Sequence, residues 1–215
     1  MKDKLKIDIV SDVVCPWCTI GYKRLEKAIS ELGIADRIDL EWQPFELNPN
    51  MPAKGQDLHE HIAEKYGSTM EQQKASQETM TDAGEELGFT FDYFEGMRMS
   101  NTFEAHVLLE YARKFGRQTE LKMRLTKAFF SERKDVSDRA ILKEALMDVG
   151  LNADEALAKL EDQEARKEVR NKQAYWQNVG VRSVPTIVFD GKSAVTGAQP
   201  IDVFKKVLTE MLATS

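Results

Sequence analysis
Leu5-Lys6-Ile7-Asp8-Ile9-Val10-Ser11-Asp12-Val13-Val14-Cys15-Pro16-Trp17-Cys18 is the stretch whose reading decides the fold. Leu5, Ile7 and Ile9 alternate with polar residues, which predicts a first strand ending near Ser11. Beyond Cys15-Pro16, apolar residues recur with helical spacing at Ile20, Leu25, Ala28, Ile29 and Leu32, closing at Gly33. Pro16 falls in the first helical turn, where a missing N–H costs nothing. The cysteines therefore stand at a helix start that directly follows a strand. Such a terminus offers unpaired N–H groups and the positive end of a dipole, and both favour Cys15 as a thiolate. Cys18 follows one turn later on the same face, within reach of a disulfide to Cys15.

These are the only two cysteines of a 215-residue chain. A structural disulfide is a poor account of them, because a loop this short barely constrains the unfolded chain. A metal site would need two more ligands. His59 and His61 are the candidates, but they lie two apart on a predicted helix and point about 200° from each other. No metal is expected. Redox chemistry is the favoured reading of Cys15 and Cys18, ahead of metal binding or an inert pair.

The charge balance points away from several partners. The formal net charge is −6, with Lys and Arg interleaved among Asp and Glu. Neither nucleic acid nor an anionic membrane is an expected partner. The N-terminus lacks the apolar stretch of a signal peptide, and no apolar run approaches the ~20 residues that span a bilayer. A cytoplasmic location is the expectation. The sequence carries no mark of an oligomeric state.

Working outward, Ile38, Leu40 and Trp42 predict a second strand, followed by a turn-rich stretch from Pro44 to Gly55. From about Asp57 to Gly180 the pattern is helical. One apolar stripe runs through Leu121, Leu125, Ala128 and Phe129, another through Ile141, Leu142, Ala145, Leu146 and Val149. Gly67, Gly88, Gly116, Gly150 and Gly180 fall at expected C-caps, and Asn152 at an N-cap. Thr186–Phe189 predicts a strand, Asp190-Gly191 a hairpin turn, and Ser193–Val195 its partner. Pro200 opens a last helix with Val203, Phe204, Val207, Leu208 and Met211 on its apolar side. The order is β-α-β, a long helical block, then α-β-β-α.

Four blocks now carry a resemblance. Cys15-Pro16-Trp17-Cys18, Trp42-Gln43-Pro44-Phe45-Glu46-Leu47-Asn48-Pro49, Asn101-Thr102-Phe103-Glu104-Ala105-His106 and Gly180-Val181-Arg182-Ser183-Val184-Pro185 resemble the FrnE branch of the DsbA-like thioredoxin-fold proteins. The resemblance covers essentially the whole chain. It implies an α/β thioredoxin-like fold with a large all-helical insertion: residues 1–56 and 166–215 as a discontinuous thioredoxin-like domain, 57–165 as the insertion. It also implies that Val184-Pro185 is a cis peptide opposite the cysteines, with the Val184 main chain pairing with an extended substrate. From the residues alone, Pro185 before a β run indicates only an extended entry. Exported oxidants of the family carry leaders, some relatives carry a second cysteine pair, and a related branch has Ser at the first cysteine position. No leader is expected here, and the sequence has a single cysteine pair with Cys15 at the first position.

Other side chains are candidates for supporting roles. Pro16 and Trp17 flank the thiols, and Trp17 has no charge to stabilise a thiolate, which predicts a weakly oxidising couple. Asp12 takes the Cys18 proton through water or, as is commoner for an Asp here, caps the loop or faces solvent. His106 reads as a hydrogen-bonded core residue. Phe89, Phe91, Tyr93, Phe94, Met97 and Met99 form an apolar cluster, read as packing or as part of a substrate groove in which Met97 and Met99 join Trp17, Val184 and Pro185. Glu161–Lys172 reads as a solvated helix face.

The expectation is a dithiol–disulfide oxidoreductase acting on protein or peptide thiols and disulfides, as reductase or isomerase. Cys15 would be the exposed nucleophile and Cys18 the shielded resolving thiol. No cofactor is implied beyond the cysteines, with glutathione a candidate reductant. Two other classes stay open: a glutathione-dependent small-molecule isomerase or transferase, and a non-catalytic redox-sensing binding protein.

Overall fold
The computed structural model describes residues 4–213. The chain divides into two compact units, Met1–Phe45 with Arg170–Ser215, and Glu46–Val169. The first boundary thus falls before Glu46, whereas the sequence suggests one after residue 56. The reason is local: the turn-rich stretch is tied to the helical unit. Gln56 and Asp57 form a short strand paired with Arg98 and Met99, and Asn101 Nδ2 donates to the Met51 carbonyl at 2.8 Å.

The first unit is built on a four-stranded sheet. Strand β1 (Leu5–Ser11) leads through helix α1 (Pro16–Leu32) to strand β2 (Ile38–Pro44), and β1 and β2 pair in parallel from Leu5↔Ile38 to Ser11↔Pro44. A parallel pair needs such a crossover, which a helix supplies. The alternation in β1 buries Leu5, Ile7 and Ile9. On that face Tyr22 of α1 packs its ring 4.8 Å from Trp42, the register partner of Ile9. On the other face Val10 clusters with Trp176, Val181 and Val188.

The second unit (Glu46–Val169) comprises strand β3 (Gln56–Asp57), helices α2 (Leu58–Tyr66) and α3 (Met70–Glu86), strand β4 (Arg98–Met99), helices α4 (Phe103–Arg113), α5 (Gln118–Ser131), α6 (Arg139–Asp148) and α7 (Ala153–Ala158), and the start of α8 (Gln163–Asn178). The block expected to be wholly helical therefore contains one short β pair. The stripes read from α5 and α6 bury Leu121, Leu125, Leu142 and Leu146, each worth roughly 1.5–3 kcal/mol of apolar burial. Asn152 caps α7 by accepting from the Glu155 N–H. No described helix is long and apolar enough to cross a membrane.

The chain then re-enters the sheet. Strand β5 (Thr186–Phe189) pairs antiparallel with β1, Ile7 facing Phe189, and strand β6 (Ser193–Thr196) closes the order β2-β1-β5-β6. Asp190 and Gly191 both take positive φ, 50° and 64°, in a loop one residue longer than the two-residue turn expected, because Phe189 pairs with Ser193 and leaves Lys192 in the loop as well. Helix α9 (Ile201–Ala213) packs beside α1 and buries Phe204 and Leu208. Val203, read as part of that apolar side, is exposed instead. Sheet and helices together make the α/β thioredoxin-like architecture expected from the sequence.

Candidate active site
Helix α1 begins at Pro16, and Cys15 is its N-cap, with extended backbone at φ −98° and ψ 110°. The Cys18 N–H donates to Cys15 Sγ at 3.3 Å. That acceptor position is more often filled by an Asp, Asn, Ser or Thr oxygen. The two cysteines are thiols, not joined in a disulfide. Cys15 is 4% exposed and Cys18 fully enclosed. Cys15 is therefore the more accessible of the two, as the sequence suggests, but it is not an open surface thiol.

Across from Cys15, the Val184–Pro185 peptide is cis. The Cys15 S–H faces the Val184 carbonyl oxygen at 4.0 Å. Thr186 Oγ1 donates to the Ser183 carbonyl at 2.8 Å, and the Gly197 N–H to the Pro185 carbonyl at 2.8 Å. The Pro185 ring lies against α1 where Gly21 has no side chain: a Cβ there would stand 3.1 Å from Pro185 Cγ and 3.4 Å from Ala198 Cα. Arg24 Nη1 donates to the Ala198 carbonyl at 2.6 Å. Sequence reading passes over Gly21 and Arg24. The one signal was a glycine inside a helix, a placement that costs about 1 kcal/mol relative to alanine.

The electrostatics depart from expectation. The Cys15 thiol is held well above the ordinary thiol range, first by its hydrogen bond with the Cys18 side chain, then by burial and by charge on Cys18. The Cys18 N–H pulls the other way, and Asp12 adds to the rise. The helix N-terminus thus acts as the sequence suggests, but enclosure and the neighbouring sulfur outweigh it. Asp12 is itself buried, and its Oδ1 accepts from the Val13 N–H at 2.7 Å. It caps the loop entering Cys15, one of the roles weighed for it, and does not face solvent. Trp17, between the cysteines, is 39% exposed.

The remaining candidates lie in the helical unit. Met97 and Met99 are buried there, and Met99 belongs to β4. The aromatic part of that cluster packs internally, with Phe91 4.8 Å from Phe89 and 4.9 Å from Phe130. His106 is buried on α4. His59 Nδ1 meets Gln73 Oε1 at 2.7 Å, while His61 lies between Gln56 Oε1 at 2.8 Å and Asn48 Oδ1 at 3.0 Å. The two imidazoles thus point to separate partners.

Comparison with known proteins agrees with this geometry. The chain is 28% identical to the uncharacterized protein YwbO of Bacillus subtilis (strain 168) over 206 residues, 95% of this chain and 96% of that one. The crystal structure of the probable DsbA oxidoreductase SCO1869 from Streptomyces coelicolor superposes with a TM-score of 0.91 at 30% identity, covering 98% of this chain and 91% of that one. A likeness of fold alone extends to the cytosolic disulfide reductase DsbM from Pseudomonas aeruginosa with GSH, at a TM-score of 0.68 and 17% identity over 97% and 99% of the two chains. The profile of the DSBA-like thioredoxin domain matches residues 6–209, and the chain belongs to that family of thiol–disulfide oxidoreductases.

Proposed function
We propose that this protein exchanges disulfides with protein or peptide substrates, working as a reductase or isomerase rather than as a strong oxidant. The observation that carries the reading is the place of Cys15: an N-cap thiol facing the Val184 carbonyl at 4.0 Å. The Cys15 thiolate attacks a substrate disulfide, one substrate sulfur leaves as a thiolate and takes up a proton, and a mixed disulfide remains. Cys18 then loses its proton and attacks Cys15 Sγ. The second substrate thiol departs, and the Cys15–Cys18 disulfide holds the two electrons' worth of oxidation. Two molecules of glutathione return it to the dithiol and leave as one glutathione disulfide.

The surroundings of the thiol support this direction. A strong oxidant of this kind stabilises its reduced form as a thiolate. Here burial and Cys18 work against the Cys15 thiolate, and Trp17 brings no charge to support one. A cytoplasmic role fits such a couple, and DsbM, of similar fold, is a cytosolic disulfide reductase. The resemblance of the four sequence blocks to the FrnE branch supports this reading.

Trapping tests it. A Cys18→Ala variant incubated in lysate is expected to accumulate mixed disulfides through Cys15, reversed by reductant and missing in the Cys15→Ser, Cys18→Ala double variant. If no thiol-bearing partner is captured, exchange is not the function.

A further inference from the structure
Cys15, Cys18, Gly21 and Arg24 follow one another at intervals of three along α1. Such a row runs obliquely across a helix, each member beside the next. The returning chain lies along it. Val184 stands over Cys15, Pro185 and Ala198 press on Gly21, and the Ala198 carbonyl is held by Arg24. The two returning segments are also joined to each other, because the Gly197 N–H donates to the Pro185 carbonyl. Gln199 braces that second segment through its N–H to the Gly197 carbonyl at 3.0 Å and its Nε2 to the Thr196 carbonyl at 2.8 Å.

We infer that Gly21 and Arg24 are positioning residues that hold the Val184-Pro185 and Gly197–Gln199 segments against α1, and so set the width of the slot beside Cys15 that a disulfide-bearing peptide enters. The inference rests on the exchange reading and deepens it. Gly21 sets how closely Pro185 approaches the helix, since a side chain there would meet the ring at 3.1 Å and push it outward by a few tenths of an ångström. Arg24 acts from the far side, fixing the carbonyl of Ala198, whose chain neighbour Gly197 donates its N–H to the Pro185 carbonyl. Gly21 has no side chain and the Arg24 guanidinium is bonded to the Ala198 carbonyl, so neither is assigned a part in bond making.

The test separates docking from thiol chemistry and from stability. Gly21→Ala, Gly21→Val, Arg24→Ala and Arg24→Lys are compared with the parent protein on two substrates, a disulfide-linked peptide pair and hydroxyethyl disulfide. With the peptide, KM is expected to rise roughly tenfold in Gly21→Val and Arg24→Ala while kcat changes less than twofold. Gly21→Ala should fall between parent and Gly21→Val, and Arg24→Lys should recover part of the loss. Rates with hydroxyethyl disulfide should stay within about twofold of the parent.

Stability provides the second readout. Alanine is the better helix former, so Gly21→Ala should keep or raise the melting midpoint while weakening peptide exchange. Parallel loss on both substrates, or loss that tracks the melting midpoint across the four variants, overturns the positioning role. An unchanged peptide KM in Gly21→Val and Arg24→Ala overturns it as well. If the parent exchanges with neither substrate, the exchange reading falls and this inference falls with it, an outcome distinct from the others.

Discussion

The backbone N–H of Cys18 donates to the sulfur of Cys15 at 3.3 Å, so the reactive atom is also the cap of its own helix. Capping and chemistry can be separated by substitution. Cys15→Ser keeps a cap acceptor, whereas Cys15→Ala removes it at a typical cost of about 1 kcal/mol. In urea unfolding of the reduced proteins, Cys15→Ser is expected to match the parent and Cys15→Ala to fall about 1 kcal/mol below it. Equal stabilities would mean that the sulfur does not serve as a cap.

The neighbouring sulfur leaves a second signature. Cys15 is held high first by its hydrogen bond with Cys18, with burial and Cys18 charge following. A raised thiol pKa places the thiolate, the alkylating species, at higher pH. Iodoacetamide modification of Cys15 should therefore rise only above the ordinary thiol range in the parent. Its midpoint should move to lower pH in Cys18→Ala, where two of the three raising causes just named are gone. Mass spectrometry of the labelled thiol across a pH series checks the direction.

Asp8 offers a stability test in the same unit. It sits opposite Glu41 in the β1–β2 register and accepts from Gln43 Nε2 at 2.7 Å. Burial raises its pKa; Gln43 and Lys6 oppose the rise, and Glu41 and Asp39 add to it. For an acid raised in the folded state, the destabilising effect sets in as pH climbs past the unfolded value and is complete above the folded one. Asp8→Asn should thus gain about 0.5 kcal/mol at pH 7, with the gain vanishing near pH 3. A gain that persists at low pH would assign the effect to something other than the charge.

Gly84 in α3 is expected to refuse any side chain. A Cβ there would stand 2.5 Å from Cδ2 of the buried Phe91 ring and 2.6 Å from the Phe89 carbonyl oxygen. Overpacking of this kind costs roughly 1–3 kcal/mol, more than the helix propensity that alanine returns. Gly84→Ala should lower the urea midpoint clearly, in contrast to Gly21→Ala.

Legibility in the sequence followed the range of the interactions. The alternation of Leu5, Ile7 and Ile9, the stripe behind Cys18 and the Asp190-Gly191 turn are local signals, and each marks its element correctly. The place of Pro185 came from resemblance, since a local reading of proline cannot choose between cis and trans. Gly21 and Arg24 escaped because their partners, Pro185 and Ala198, lie far along the chain. The raised Cys15 thiol escaped for a related reason, since enclosure is a property of the assembled unit. Met97 and Met99 sit in a stretch without helical period, where composition could not tell a groove from packing. Gln56-Asp57, between the turn-rich stretch ending at Gly55 and the helical pattern from about Asp57, went unread as a strand because its strand partner is Arg98-Met99.

The sheet joins the two ends of the chain, and this has a consequence for biosynthesis. Ile9 on β1 has its register partner at Ile187, roughly 180 residues later. At roughly 5–20 residues per second of synthesis, the ribosome needs about 10–35 s to deliver it. During that interval β1 can pair only with β2, and the segment that later covers Cys15 has yet to be made. The nascent dithiol therefore stands at the open edge of a two-stranded sheet, accessible to oxidants and to stray thiols in a way the finished protein is not.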